Sequence, residues 1–321
     1  MERYRFDGQV AIVTGAGTGL GRAYATLLAA RGATVLVNDH GVAPDGSGSG
    51  DPSAAESTAA EIAAAGGTAV ANGESVATAD GANAIVAQAL DTWGRVDVLV
   101  NNAGYVTART AIGQVTDEQW RSDMAVAADG TFYMCRAVWD HMWERDYGRI
   151  VNTSSGAFFG MGTGVVPYPA AKAAAWAITK GLATHSTSAG RDVVVNCVMP
   201  TASGRMSGGM GAQIAALMER EFQPEKVAPL VALLAHADAP CNGELFKAGG
   251  GTFSRVFAAV TPGYRAAGDA SPEEVADHFD QVLATDGFVI PQHALDPAMS
   301  LFSHPEWQTF RGVARNAPAR A

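Results

Sequence analysis

The stretch Val10-Ala11-Ile12-Val13-Thr14-Gly15-Ala16-Gly17-Thr18-Gly19-Leu20-Gly21 restricts this chain more than any other. Its apolar start, Val10 to Val13, has the continuous pattern of a strand buried on both faces of a parallel sheet. Four glycines then fall within seven residues, and the Ala/Leu-rich stretch Arg22 to Arg31 has helical character. Strand, glycine turn and helix in this order aim backbone N–H groups and the positive end of a helix dipole at a pyrophosphate. A Cβ in such a turn would block close approach of a phosphate and disfavour positive φ. The spacing is Thr14-Gly15-x-x-x-Gly19-x-Gly21; the alternative G-x-G-x-x-G fails because Leu20 and Arg22 stand where its last glycine would be. Alone, the stretch is equally an ordinary glycine-rich strand-to-helix turn.

The downstream pattern repeats strand and helix. Ala33 to Asn38 reads as a second strand ending in Asp39, which places a carboxylate 18 residues after Gly21. An acid there can accept hydrogen bonds from an adenosine ribose and repel a 2′-phosphate. A plain turn aspartate would look the same in isolation. His40 to Ser53, rich in Gly, Ser, Pro and Asp, reads as a flexible surface connection. Helix Ala54–Ala65, strand Thr68–Ala71, helix Asp80–Trp93 and strand Val96–Val100 follow, the last running into Asn101-Asn102-Ala103-Gly104. A long helical region from Thr116 or Asp117, the natural N-caps, reaches about Arg145. Arg149–Thr153 is a strand leading to Ser154-Ser155, and Tyr168–Ser188 is a helix with Pro167 and Pro169 at its first turn. Strand Asp192–Met199, helices Met206–Glu221 and Glu225–Ala235, and strand Glu244–Ala248 complete the alternation. This is the signature of an α/β fold, a doubly wound parallel sheet of Rossmann type. From Phe253 the character changes, with an acidic helix over Pro272–Ala284 capped by Ser271. The expected organisation is a dehydrogenase-type domain over 1–252 and an extension over 253–321, partly helical, packing on the core or on a neighbouring subunit.

Composition narrows the function. The net charge of −10 argues against a nucleic-acid surface, which needs clustered Lys and Arg. Cys135, Cys197 and Cys241 are far apart and form no metal-ligand or redox spacing, so no metal and reduced thiols are expected. The N-terminus carries no apolar signal region and no run approaches a membrane span, so a cytoplasmic protein is expected.

Tyr168 and Lys172 are spaced i, i+4 and share one face of a helix. An ammonium beside a phenol favours the phenolate, which makes a proton acceptor for an alcohol under oxidation. Ser155 lies thirteen residues earlier, past a strand end, where the ligand crevice of such sheets forms. Each of these alone fits a surface helix pair or a turn serine. Together, and in this order with the glycine turn, Asp39 and Asn-Asn-Ala-Gly, the bland readings fail.

On these residues the chain resembles the short-chain dehydrogenase/reductase family over about residues 6 to 252: Thr14-Gly15-x-x-x-Gly19-x-Gly21, Asn101-Asn102-Ala103-Gly104, Ser155, Tyr168-x-x-x-Lys172 and Pro200. The resemblance implies Tyr168 as acid/base, Lys172 as ribose ligand and tuner of Tyr168, and Ser155 as the group orienting the substrate oxygen. It also implies an NAD site made by Gly15, Thr18, Gly19, Leu20, Asp39, Ser75, Val76, Asn102, Ala103, Gly104, Tyr168, Lys172, Pro200 and Ala202. Asn38-Asp39 with its glycine-rich loop, Pro200 to Met206, Pro224 to Val231, Asn242 to Phe246 and the helix at Ser271 resemble one branch. That branch is the (3R)-hydroxyacyl-CoA dehydrogenase domain of the peroxisomal multifunctional enzyme type 2 and its bacterial relatives. Two departures stand out: Ala127 replaces an asparagine that supports a proton relay in the family, and Pro169 follows Tyr168 where Ser or Ala is usual.

The implied activity is NAD-dependent oxidation of a secondary alcohol, first a (3R)-hydroxyacyl-CoA with a fatty or steroid side-chain acyl group. The alternatives are a free hydroxysteroid or other secondary alcohol and, last because Tyr168 and Lys172 are both present, a non-catalytic NAD(H)-sensing protein. Arg109, Arg205 and Lys247 are candidate contacts for CoA phosphates, and 106–111, 157–166 and 203–213 are candidate lids. Helices Asp117–Arg145 and Tyr168–Ser188, with Trp120, Trp139, Trp143 and Trp176, imply a two-fold homodimer as the minimum assembly, with no nucleic-acid or membrane partner.

Overall fold

The computed structural model describes residues 3–107, 110–161, 165–204, 211–294 and 296. Eight strands form one sheet: β1 (Val10–Thr14), β2 (Thr34–Asn38), β3 (Thr68–Asn72), β4 (Val98–Asn101), β5 (Gly148–Thr153), β6 (Val193–Pro200), β7 (Leu245–Gly249) and β8 (Thr252–Val256). Their order is β3-β2-β1-β4-β5-β6-β7-β8, and the six pairings from β3 to β7 are parallel. The direction of winding reverses between β1 and β4, so a crevice opens at their carboxyl ends.

Strand periodicity divides the core into two layers. Ala11 and Val13 point to one face and pack with Leu28, Ile62, Val231 and Leu234, from helices α1 (Gly19–Ala30), α2 (Ser53–Ala64) and α8 (Ala228–Ala235). Val10 and Ile12 point to the other and pack with Ile85, Met134, Val138 and Ala183, from helices α3 (Ala79–Trp93), α5 (Gly130–Glu144) and α6 (Pro167–Ala189). α4 (Asp117–Met124) and α7 (Ala212–Glu221) complete the helices of this unit.

The departures from the sequence reading have local causes. The long helix predicted from 116 to 145 starts at Thr116 with a capping box: Gln119 N–H donates to Thr116 Oγ1 at 3.2 Å, and Thr116 N–H to Gln119 Oε1 at 3.0 Å. It is not one α-helix, however, because Ala125–Asp129 widens into π-helical turns between α4 and α5. The helix read over 225–235 is a 3₁₀ turn, Pro224–Lys226, followed by α8. Of the helix read over 206–221 only α7 is described, its first residues lying outside the described ones. β8 was not foreseen, and it runs across the boundary placed after residue 252. A two-residue connection, Gly250-Gly251 with φ of +56° and +78°, joins it to β7; such a turn reverses the chain and needs positive φ at both positions.

The chain forms two compact units, Met1–Arg255 and Val256–Ala321. In the second unit the described residues form α9 (Pro272–Asp277), capped by Ser271, and α10 (Phe279–Leu283). The acidic helix read over 272–284 is therefore broken at His278, whose ring stacks on Tyr264 at 4.0 Å. Among the described residues no helix is long and apolar enough to cross a membrane, and no three His, Cys, Asp or Glu are grouped to hold a metal ion.

Candidate active site

Register brings the sequence-predicted residues together. Val13 pairs with Val100 and Thr14 with Asn38, so Gly15, Asp39 and Asn102 all leave the sheet at the same edge. They open a cleft of about 460 Å³, within the range of small-molecule sites.

The turn after β1 is built for close backbone packing. A Cβ at Gly21 would collide with the Gly15 carbonyl and lie 2.6 Å from Asn102 Nδ2. Asn102 Nδ2 donates to the carbonyls of Thr14 and Gly15 at 2.9 and 3.0 Å, while Thr14 Oγ1 accepts from the Asn102 and Ala103 amides at 3.0 and 3.1 Å. Asn102-Ala103-Gly104 is thereby bolted to the glycine turn. Gly19 is different: its φ is +54°, and open space surrounds the position a Cβ would take. Thr18 is the N-cap of α1, yet its side chain caps nothing, so the first amides of the helix have no side-chain acceptor.

Asp39 is buried, with 7% exposure. Its Oδ2 accepts from Gly17 N–H at 2.9 Å and its Oδ1 from Gly41 N–H at 2.8 Å, which fixes the carboxylate in the wall of the cleft. Ser75 and Val76 follow β3, and Pro200 and Ala202 follow β6 onto the same cleft. Among the described residues that line it, Lys172 is the single Lys or Arg.

The catalytic candidates meet at the far end. Ser155 follows β5 and is the N-cap of a 3₁₀ turn, Gly156–Phe159; its Oγ accepts from Ala157 N–H at 3.2 Å. Pro167 and Pro169 sit in the first turn of α6, where no intrahelical donor is needed, so the proline after Tyr168 leaves the helix intact. Tyr168 and Lys172 face inward from that helix, with exposures of 9% and 3%. Lys172 Nζ donates to the Thr153 carbonyl at 2.9 Å and lies 5.9 Å from the centre of the Tyr168 ring. Burial with no carboxylate partner brings its pKa down from 10.5 to about 8. The backbone carbonyl of Lys172 accepts from Ser154 Oγ at 2.8 Å, which ties β5 to α6 at the site.

Sequence reasoning missed part of this wall. The 40–53 segment is no plain connection: His40, Val42, Ala43, Pro44, Gly46 and Gly48 line the cleft. His40 Nδ1 donates to the Gly73 carbonyl at 2.9 Å, Val106 N–H to the Pro44 carbonyl at 3.3 Å, and the Tyr105 ring lies against Gly46, where a Cβ would be 2.6 Å away. Gly41, Gly46 and Gly50 are crowded by Asp51, Tyr105 and His40, too closely for a side chain, while Gly48 lies in open space with φ of +106°. Thr153 was also overlooked; its Oγ1 is buried beside the cleft without a partner. At Ala127 the carbonyl accepts from Thr131 Oγ1 at 2.8 Å and the methyl packs on Ala128 and Ala171. Arg109, Arg205 and parts of the three lid segments lie outside the described residues. Lys247, on β7, is exposed and does not line the cleft.

A family model described as short chain dehydrogenase matches residues 9–215. The chain belongs to the short-chain dehydrogenase family. It is thus an oxidoreductase acting on CH–OH groups, in a family that typically uses a nicotinamide cofactor. The mouse (Mus musculus) peroxisomal multifunctional enzyme type 2 is 39% identical over 87% of this chain and 37% of its own length. The chain thus spans little more than a third of that relative. A short chain dehydrogenase from Mycobacterium avium, a crystal structure, is 38% identical with a TM-score of 0.72, covering 87% of this chain and 95% of that one. A (2S)-[(R)-hydroxy(phenyl)methyl]succinyl-CoA dehydrogenase subunit from Thauera aromatica is 37% identical over 60% of this chain and 72% of its own.

Proposed function

We propose that this dehydrogenase oxidises a (3R)-hydroxyacyl-CoA, with a fatty acyl or steroid side-chain acyl group, to the 3-ketoacyl-CoA, using NAD. The observation that carries the reading is the convergence of Ser155, Tyr168, Lys172 and Asp39 on one cleft. The residues present fit the cofactor: uncapped amides of α1, open space at Gly19, the buried Thr153 Oγ1 without a partner, and the fixed Asp39 carboxylate. Asp39 would accept from ribose hydroxyls and repel a 2′-phosphate, and no Arg among the described cleft residues would offset that repulsion.

A bound nicotinamide would supply the hydride acceptor for the carbinol carbon. Ser155 Oγ holds the substrate oxygen. Tyr168, as phenolate, takes the hydroxyl proton. The Lys172 ammonium stabilises that phenolate; one of its three N–H groups is committed to the Thr153 carbonyl, and the others would be left for the phenol and for a bound cofactor's ribose. Because both side chains are buried, their electrostatic interaction is stronger than it would be in water. The acyl-CoA class draws support from the Thauera aromatica relative, whose name specifies a hydroxyl-bearing CoA thioester. The exposed apolar residues Phe159, Met161 and Val166, between Ser155 and Tyr168, suit an apolar acyl chain.

The test is NAD reduction followed by absorbance on a panel of (3R)- and (3S)-hydroxyacyl-CoAs of different length and free hydroxysteroids, each also with NADP. The (3R)-thioesters with NAD are expected to give the highest kcat/KM. A free steroid alcohol turned over better would move the substrate class, and equal turnover with NADP would remove the Asp39 argument. We further infer a two-fold homodimer through α5 and α6. Trp139, Trp143 and His185 form a ring cluster on these helices, with centroids 4.8 to 5.8 Å apart. Trp176 contributes less to that face, since it packs on Phe158 at 5.7 Å. Light scattering at micromolar concentration checks the mass.

A further inference from the structure

Asp123 is a buried acid that the mechanism above does not use. It sits in the last turn of α4 with 1% exposure, and no cation pairs with it among the described residues. Its Oδ1 accepts from the Thr107 backbone N–H at 2.9 Å, while its Oδ2 is buried with no hydrogen-bond partner. Desolvation raises its pKa from the usual aspartate value, against the lowering effect of the Thr107 hydrogen bond. Burying a carboxyl with half its acceptors unused costs stability, and a leucine would fill such a position more cheaply. The acid therefore calls for a reason other than packing.

That reason lies in what α4 grips. Ser122 Oγ shares a hydrogen bond of 2.9 Å with Tyr105 OH, and the Gln119 carbonyl accepts from Thr107 Oγ1 at 3.2 Å. With Asp123 these hold both ends of the short strip 105–107. Between them Val106 belongs to one buried apolar cluster with Tyr168 and Val165, against which Ala157 packs. The strip also closes on the cofactor wall through Val106 N–H and the Pro44 carbonyl. Tyr168 projects from the first turn of α6, where little helix precedes it, and this apolar cluster forms one wall against its ring.

We propose that Asp123 is a positioning residue for the oxidation, holding Val106 through the Thr107 amide so that the Tyr168 ring stays aimed at the substrate hydroxyl. This rests on the reading of Tyr168 as proton acceptor. A displacement of the ring by about 1 Å would lower the rate by roughly ten- to a hundredfold without touching the cofactor wall at Asp39.

Two variants of the full chain separate this role from simple packing. Asp123→Leu removes the buried carboxyl and its bond to Thr107; Asp123→Asn keeps an acceptor for the Thr107 amide. The leucine variant is expected to melt at or above the wild-type temperature, bind NAD within about twofold of wild type, and lose kcat by about tenfold or more. The asparagine variant is expected to recover kcat to within about threefold. A leucine variant with wild-type kcat overturns the proposal. So does an asparagine variant as slow as leucine, or a loss of rate that merely follows a loss of melting temperature and NAD affinity. Tyr168→Phe run alongside keeps the two readings apart: if it stays active, the proton acceptor is misassigned; if it is dead while Asp123→Leu is fully active, the Asp123 role alone fails.

Discussion

The two ends of the cleft are made differently. At the cofactor end, side chains and amides are buried, paired and packed against backbone: Asp39 on Gly17 and Gly41, Asn102 on Thr14 and Gly15, the Tyr105 ring on Gly46. At the substrate end, past Ser155, large apolar side chains stand in solvent, among them Phe159 at 69% exposure and Met161 at 37%. One end recognises a constant ligand, so its ordering cost is met on folding. The other has apolar surface left uncovered, which a substrate can bury on binding. Lys172 and Tyr168 stand at the junction.

That contrast can be broken in order of size. At the junction, Tyr168→Phe removes only the proton acceptor; kcat is expected to fall by about a thousandfold or more while NAD affinity, read by fluorescence titration, stays within about twofold. At the cofactor end, Gly21→Ala would drive a Cβ into the Gly15 carbonyl. The expected cost is about 2–3 kcal/mol of stability with loss of NAD binding, measured by denaturant melts and titration. Asp39→Asn keeps one acceptor oxygen and removes the charge; preference for NAD over NADP should shrink by about tenfold, seen in the ratio of kcat/KM values. At the substrate end, Phe159→Ser or Met161→Ser should raise KM for a long-chain thioester by about three- to tenfold and leave the melting temperature within a degree or so. A large stability loss there would erase the distinction between the two ends.

Lys172 supplies a pH test of the junction. Oxidation should slow as pH rises through about 8, where the buried Lys172 ammonium loses its charge and no longer supports the phenolate. Stability runs the other way. The unfolded chain keeps this lysine charged up to the ordinary value of 10.5, so between about 8 and 10.5 the unfolded state binds more protons and the Lys172 contribution rises with pH. Melts of wild type and Lys172→Met across that window isolate it; a pH-independent difference would mean the group is not desolvated.

How far the sequence reached depends on how local each feature is. β1 and its glycine turn, the alternation through β7, the cap at Thr116 and the i, i+4 pair on α6 are written in windows of a few residues, where periodicity, capping and helix spacing act. Those windows also put Ser155, Tyr168, Lys172, Asp39 and Asn102 at strand ends or helix starts, and a doubly wound sheet brings such ends to one crevice whatever else the chain does. Only the tertiary structure decided the rest. The 40–53 segment has the composition of a loose loop, and its place in the cleft wall comes from Tyr105 and Gly73, distant in sequence. The π-helical turn at 125–129 shares a buried cluster with Ala171 of α6, and the burial of Asp123 goes with its bond to the 105–107 strip. Lys172 acquires its low pKa from burial, and it donates to the carbonyl of Thr153, a backbone atom no side-chain pattern reports. Burial and long-range hydrogen bonding are properties of the assembled chain, and no single window of sequence carries them.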